Sequence, residues 1–454
     1  MPDRAIKKLD RNEVEAFAKE YMEFMRKAKT VREFVKYAKE LAENRGFKNL
    51  DEVKALNPGD KVYKIYHNKT ILLAIIGEEP ISEGFNLIVS HIDVPHIDLK
   101  PNPLYEKFNL AMFKTHYYGG IKKYQRTAIP LQLRGVVIKK DLSKVEVCVG
   151  CDPNDPILTI VDIAPHIAKQ QRERKAFEVI RGEELQAVVG NEPVDDENAK
   201  EKVKEKILRI LKEKYGIEEE DFFSAELELV PARDPRDLGL DRSMIAAFGH
   251  DDRVCSYAAL RAILDIERPK KTAIVRLVDR EEIGSDGNTG AKVRYLESFV
   301  HKLAKLRGEN VDHHEIFEKS TGISGDVTAG IDPVRASAFD PQNAAKLGFG
   351  LVITKYTGHG GKYMAHEAHA ELVAKFRKLF DENEVPRQAG SLGKVDEGGG
   401  GTVCKYLAER GIDMIDMGVA VLNLHAPLEV VNKADVYAMY KGFRVYLEKG
   451  LPQA

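Results

Sequence analysis

The chain predicts an α/β fold whose principal domain is interrupted by a β-rich insertion. Three observations carry this. Apolar runs of strand length end in residues suited to chemistry: Leu87-Ile88-Val89 leads into Ser90-His91-Ile92-Asp93, and Ala273 to Val278 leads into Asp279-Arg280-Glu281-Glu282. From about Asp241 onward strands alternate with helical segments, the pattern of a sheet flanked by helices. Between about Pro95 and Leu238 the texture changes to short β-rich pieces, so two segments on either side, at His91 and Asp251, can share one site only if the chain leaves a domain and returns to it.

In order, Arg11 to Glu43 reads as two helices with Thr30 capping the second, and the period changes beyond Gly46. Val62 to Tyr66 and Ile71 to Ile76, joined through His67 to Thr70, predict a hairpin. Asn86 to Ser90 predicts a buried strand that delivers His91 at its carboxyl end, where open α/β sheets gather their ligands. The insertion carries strand-like Leu131 to Ile138 and Val145 to Val149, then a highly charged helix near Glu197 to Tyr215. Further helices are expected over Arg253 to Ile266, His366 to Phe380, Thr402 to Arg410 and Lys433 to Lys449. There is no internal repeat or low-complexity segment.

With 454 residues the chain is long enough for two or three domains. Lys plus Arg at 70 against Asp plus Glu at 72 leaves a net charge of −2, so no global field recruits nucleic acid or an anionic membrane. The opening Met1-Pro2-Asp3-Arg4 lacks the apolar core of a signal peptide, and no run approaches the ~18 apolar residues of a membrane span. A cytoplasmic protein is expected. Four cysteines are too few for a disulfide framework; Cys148-Val149-Gly150-Cys151 has the spacing of half a structural zinc site, but a second half is missing.

Five segments concentrate the metal-binding chemistry: Ser90-His91-Ile92-Asp93, His250-Asp251-Asp252-Arg253, Asp279 to Glu282, Ser324-Gly325-Asp326, and Asn423-Leu424-His425-Ala426-Pro427. Together they hold histidines and acids in the mixed nitrogen and oxygen set that suits zinc-like ions, with one glutamate to spare. Alone, each has a bland reading. Charge runs are usually solvated, Asp93 can cap a turn, Asp252 can be a ligand or a helix N-cap, and a histidine after the apolar run Gly418 to Leu422 is more often part of a core. Two other histidine groups are read as ordinary: His366-Glu367-Ala368-His369 has a three-residue spacing where zincins need four, and His313-His314 lies in a polar stretch.

The order of these five segments, with the stretch from His91 through Pro95, His96 and Asp98 to Tyr105, resembles the M18 family of metallo-aminopeptidases, the aspartyl aminopeptidase group, over nearly the whole chain. The resemblance implies a zinc-exopeptidase-like catalytic domain of residues 1–94 and 239–454, with 95–238 as an inserted dimerisation domain. It implies two divalent metal ions, zinc with cobalt or manganese as alternatives. His91 and Asp326 would hold one, Glu282 and His425 the other, and Asp251 would bridge them, followed by a cis peptide to Asp252. Asp93 would orient His91, and Glu281 would be the general base that deprotonates a bridging water for attack on the first peptide bond. The substrate would be a peptide, with an acidic N-terminal residue as one option. His166 or Gln170 would complete the site of a partner subunit, and Gly399 and Gly400 would lie in the glycine-rich substrate loop, which also reads as a helix-entry turn. A large homo-oligomer, a dodecamer, is implied as well. The chain departs from the family pattern at Ala329, Asp332 and Gln170, where relatives carry histidines. Rival readings are a deacylase or carboxypeptidase of the same clan, and a non-catalytic assembly protein that keeps the fold.

Overall fold

The structure is a computed structural model that describes residues 3–452. By its contacts the chain divides into two units, one of residues up to 94, 235–424 and 428 onward, the other of residues 95–234 and 425–427.

The first unit is built on a nine-stranded mixed sheet. At its centre four strands run parallel in the order Thr272–Val278, Phe85–His91, Thr321–Gly325 and Asp413–Gly418. Antiparallel Thr70–Ile75 and Leu351–Thr354 flank them, and Lys61–Tyr66 continues the sheet as the predicted hairpin. Alternation along each strand sends successive side chains to opposite faces. Thus Ile71, Leu73 and Ile75 pack with the helices Arg11–Lys27, Val31–Asn44, His250–Leu264, Ala370–Glu382 and Lys433–Lys449. Leu72 and Ala74 pack on the other side with Tyr295–Leu306 and Cys404–Ala408. Because both faces are covered, the central strands read as continuous apolar runs.

The local start signals work as the residue types suggest. Thr30 Oγ1 accepts the N–H of Glu33 at 3.2 Å while the Glu33 carboxylate accepts the N–H of Thr30 at 3.0 Å, a reciprocal cap for the helix Val31–Asn44. One expected helix is shortened. His366 to His369 is not helical; Tyr356 bridges Glu367 in extended pairing, and His369 caps Ala370–Glu382 by accepting the Leu372 N–H at 3.3 Å.

The second unit folds around a seven-stranded antiparallel sheet that includes His96–Lys107, Leu110–Tyr118, Leu131–Ile138 and Ala225–Pro231. The charged helix spans Lys202–Tyr215, buries Val203 and Leu211 with the sheet's apolar residues, and ends at Gly216 with φ +64°, the left-handed geometry that glycine adopts cheaply. Residues 235–238, placed in the insertion by the sequence, instead contribute the strand Arg236–Leu238 to a three-stranded sheet of the first unit. Cys148 and Cys151 are joined in a disulfide. Among the described residues no helix is long and apolar enough to cross a membrane.

Candidate metal centre

The parallel register fixes what lies side by side at the carboxyl ends of the central strands. His91 is opposite Val278, which precedes Asp279, and Ser90 is opposite Gly325, which precedes Asp326. One ligand atom each from His91, Asp251 and Asp326 falls within 4.8 Å of the others, and a carboxylate oxygen of Glu282 lies within the same distance of one on Asp251. Glu281 and Glu282 are not on the strand itself. Arg280 takes φ +70° and turns the chain into a 3-10 segment Glu281–Ile283, so the turn, and not strand alternation, separates the two carboxylates.

His91 is buried, and its ring is oriented from the Nδ1 side. Nδ1 lies 3.0 Å from the Asp93 carbonyl oxygen and 3.2 Å from Asp93 Oδ1, so it carries a proton, while Nε2 faces Asp251 Oδ1 at 3.3 Å and is the nitrogen a cation would take once its own proton has left. Glu281 Oε2 is 3.9 Å from the same Nε2. The two oxygens of the Asp93 carboxylate also accept the backbone N–H groups of Glu281, at 3.1 Å, and Glu282, at 3.2 Å. One buried acid therefore sets both the imidazole and the turn that carries the two glutamates.

Asp251 follows the helix-entry residue Gly249, and its peptide bond to Asp252 is cis. Asp252 does not cap the helix. Its Oδ2 accepts from Ser90 Oγ at 2.6 Å, and Ser256 Oγ donates to the His91 carbonyl at 2.6 Å, so helix and strand are stitched beneath the site. Before Asp251, His250 is clamped between the Tyr21 hydroxyl at 2.8 Å and the Ile245 carbonyl at 3.2 Å, and burial drives its pKa down to about 3. It is a neutral structural histidine.

The electrostatics are those of a cation site. Burial, and then the charge of Asp252, holds the Asp326 carboxyl well above the ordinary range; Asp252 is raised by burial, with Asp251 adding to the shift against the pull of His91. Asp279 rises to about 6 through burial and then the Asp93 charge, while Thr289 Oγ1 donates to it at 2.8 Å. Crowded, buried carboxylates that repel one another are relieved by a divalent ion among them, and imidazole nitrogen with carboxylate oxygen is a donor set that zinc accepts. On that chemistry the residues fit the metal.

His425 groups with the second unit, where its Nδ1 donates to the Gly120 carbonyl at 2.6 Å and its own carbonyl accepts from Arg126 at 2.8 Å. His166 and Gln170 lie in the same unit on exposed short turns, 165–167 and 169–172. Gly399 and Gly400 form a short antiparallel ladder with His359 and Gly358. A Cβ at Gly399 would stand 2.3 Å from the Gly358 carbonyl oxygen, so glycine is needed for that approach; the following helix starts only at Cys404. His313 and His314 open a separate short helix capped by Asp312.

A family model described as Aminopeptidase I zinc metalloprotease (M18) matches residues 24–447. The chain belongs to the M18 family of aminopeptidases. A "Probable M18 family aminopeptidase 1" of Borrelia garinii subsp. bavariensis is 48% identical over 446 residues, 97% of each chain, and its Thermotoga maritima counterpart is 46% identical over 442 residues, again 97% of each. The crystal structure of an M18-family aminopeptidase from Thermotoga maritima superposes with TM-score 0.96 at 45% identity over 99% of both chains, and aminopeptidase I from Clostridium acetobutylicum with 0.93 at 42% over 98% of both. This M18 aminopeptidase is thus a metal-dependent hydrolase with the mixed α/β fold of its relatives.

Two residues that hydrogen-bond to the Asp251 segment in this M18 chain were not evident from the segments alone. Glu429 is the clearest: it is 1% exposed and accepts the Asp251 N–H at 3.1 Å. The available signal was a single carboxylate beside the apolar Val430-Val431 pair. Tyr21 lies hundreds of residues from its partner His250, and nothing local in the helix Arg11–Lys27 distinguishes it from a core aromatic.

Proposed function

We propose that the enzyme removes the N-terminal residue of peptides with two divalent ions. By the family resemblance His91 and Asp326 would hold one ion, Glu282 and His425 the other, and Asp251 would be shared. The convergence of His91, Asp251 and Asp326 ligand atoms within 4.8 Å carries this reading. With His425 Nδ1 engaged by the Gly120 carbonyl, Nε2 would be the nitrogen that ring offers to an ion in this reading. Ions so held supply positive charge that polarises the scissile carbonyl and acidifies water.

Glu281 then acts as the proton carrier. It takes the proton of the attacking water and returns it to the departing amine, while Asp93 holds the Glu281 backbone and the His91 ring in register. Zinc is the proposed ion, with cobalt and manganese able to replace it in this donor set. Preference for an N-terminal Asp or Glu rests on the family resemblance alone, as do a cytoplasmic location and the completion of each site by His166 or Gln170 of a neighbouring copy.

Residues 95–234 are proposed as the assembly module of a large homo-oligomer. A structure sharing only the fold, at 22% identity and TM-score 0.77, is described as the S. cerevisiae mApe1 dodecamer, and twelve copies is the assembly proposed here. Light scattering on the full chain tests it.

The test of function is hydrolysis of aminoacyl anilides, including Asp, Glu, Leu and Lys, by metal-stripped protein reloaded with zinc, cobalt or manganese. Metal-dependent release of the N-terminal residue is expected, and the ranking of Asp and Glu against Leu and Lys decides whether the acidic option holds. Turnover of N-acyl amino acids in place of the anilides would make it a deacylase, and bound metal without turnover of either would make it an assembly protein.

A further inference from the structure

The Asp251 peptide N–H is held by a carboxylate that the proposed chemistry does not use. Glu429 Oε2 accepts it at 3.1 Å, and Glu429 is 1% exposed. Its backbone is fixed by the antiparallel strand pair Met244–Ala247 with Glu429–Asn432, in which Glu429 stands opposite Ala247. A buried carboxylate costs several kcal/mol in desolvation, and an apolar residue would satisfy this strand pairing without that cost. What the Asp251 N–H needs is an acceptor oxygen, which Glu429 keeps here despite that cost.

That need follows from the surroundings of Asp251. The ring of the preceding residue, His250, is fixed by Tyr21 and Ile245, and the side chain of the following residue, Asp252, by Ser90. The Asp251 main chain itself is anchored through Glu429, while its own Oδ1 lies 3.3 Å from His91 Nε2. A carboxylate shared by two cations must present both oxygens in a fixed plane, and rotation of its backbone would move both.

We infer that Glu429 is a positioning residue for metal loading, its acceptor oxygen fixing the Asp251 peptide so that the Asp251 carboxylate is presented to both ions. The inference rests on the proposed reading of Asp251 as the shared ligand. Groups that orient a metal ligand typically contribute about 10–100-fold in metal affinity.

The test uses the full chain, stripped of metal and titrated with Zn²⁺ against a chelating indicator, with folding followed by circular dichroism in chelator. Glu429→Ala should fold and bind Zn²⁺ at least about 10-fold more weakly. Glu429→Gln keeps an acceptor oxygen at the same reach and should restore affinity to within about 3-fold, which lies outside the loss expected on removing an orienting group. Wild-type affinity in folded Glu429→Ala, or a loss in Glu429→Gln equal to that in Glu429→Ala, overturns the inference. Should Glu429→Ala not fold, Glu429→Asp decides, because its carboxylate is one methylene short of the Asp251 N–H. Weakened Zn²⁺ binding by folded Glu429→Asp beside unweakened Glu429→Gln supports the inference, and equal binding by the two overturns it. Asp251→Asn is measured alongside; unchanged Zn²⁺ binding there would remove the reading of Asp251 as a ligand and leave the Glu429 contact as a local one.

Discussion

Asp93 Oδ1 accepts the backbone N–H of Glu281 at 3.1 Å, so the proposed base is aimed by an acid that lies far from it along the chain. The second oxygen does the same for Glu282, and the first also faces His91 Nδ1. Asp93→Asn replaces one of these acceptor oxygens by an NH₂ group that must oppose one of the three donors. We expect a fall of about 10–100-fold in metal affinity or activity, measured by Zn²⁺ titration and by steady-state kinetics. Wild-type values for both would mean that Asp93 orients nothing of consequence.

Glu281→Gln isolates proton transfer from metal binding. The amide is nearly isosteric and the backbone N–H bond to Asp93 is unaffected, so metal content by elemental analysis should match the wild type while kcat falls at least about 100-fold. Loss of metal together with activity would reassign Glu281 as a ligand.

Protons should compete with metal at His91. Although burial disfavours its charge, hydrogen bonds to Asp251 and Asp93 raise the His91 pKa well above the ordinary value in the metal-free protein. Loading must displace that proton, so Zn²⁺ affinity should rise with pH, with protons released into a weakly buffered solution. Activity lost in mild acid should be partly restored by added metal. Acid loss that is indifferent to metal concentration, with metal still bound, would place the critical protonation on Glu281.

Asp435 offers a stability prediction away from the site. Its carboxylate accepts the N–H groups of Gly348 and Gly350, each at 2.6 Å, yet burial outweighs them and raises its pKa to about 7. The folded state then binds more protons than the unfolded chain, whose Asp titrates at about 3.9. The contribution of this group is full below about pH 4 and is lost as pH rises to about 7. Chemical denaturation at a series of pH values should show the wild type losing stability relative to Asp435→Asn across that window. The opposite slope would show that the two N–H donors prevail and keep the carboxylate ionised.

The ends of the central strands were legible because a buried parallel strand is an apolar run, and the polar residue that ends it stands out. His91 and Asp326 are of this kind. The turn at Arg280, which separates the two glutamates, was not legible, since an αL residue other than glycine leaves no local mark. His366 to His369 kept helical spacing but lost to extended pairing with Tyr356, a contact between residues whose partnership no local window contains. Glu429 was hidden by the same limit: a carboxylate within an apolar strand has meaning only beside Asp251.

The interrupted first unit also dictates when the enzyme can become active during its own synthesis. Ser90 and Asp252, joined by a hydrogen bond under the site, are 162 residues apart, so the strand carrying His91 emerges long before the helix that stitches to it. At about 5–20 residues per second a ribosome takes roughly 8–30 s to cover that distance. Both parallel neighbours of Phe85–His91 lie beyond the same gap, as do Asp251, Glu281 and Asp326. A nascent chain therefore holds an incomplete donor set until most of it has been made, and peptide cleavage is deferred until the protein is nearly finished.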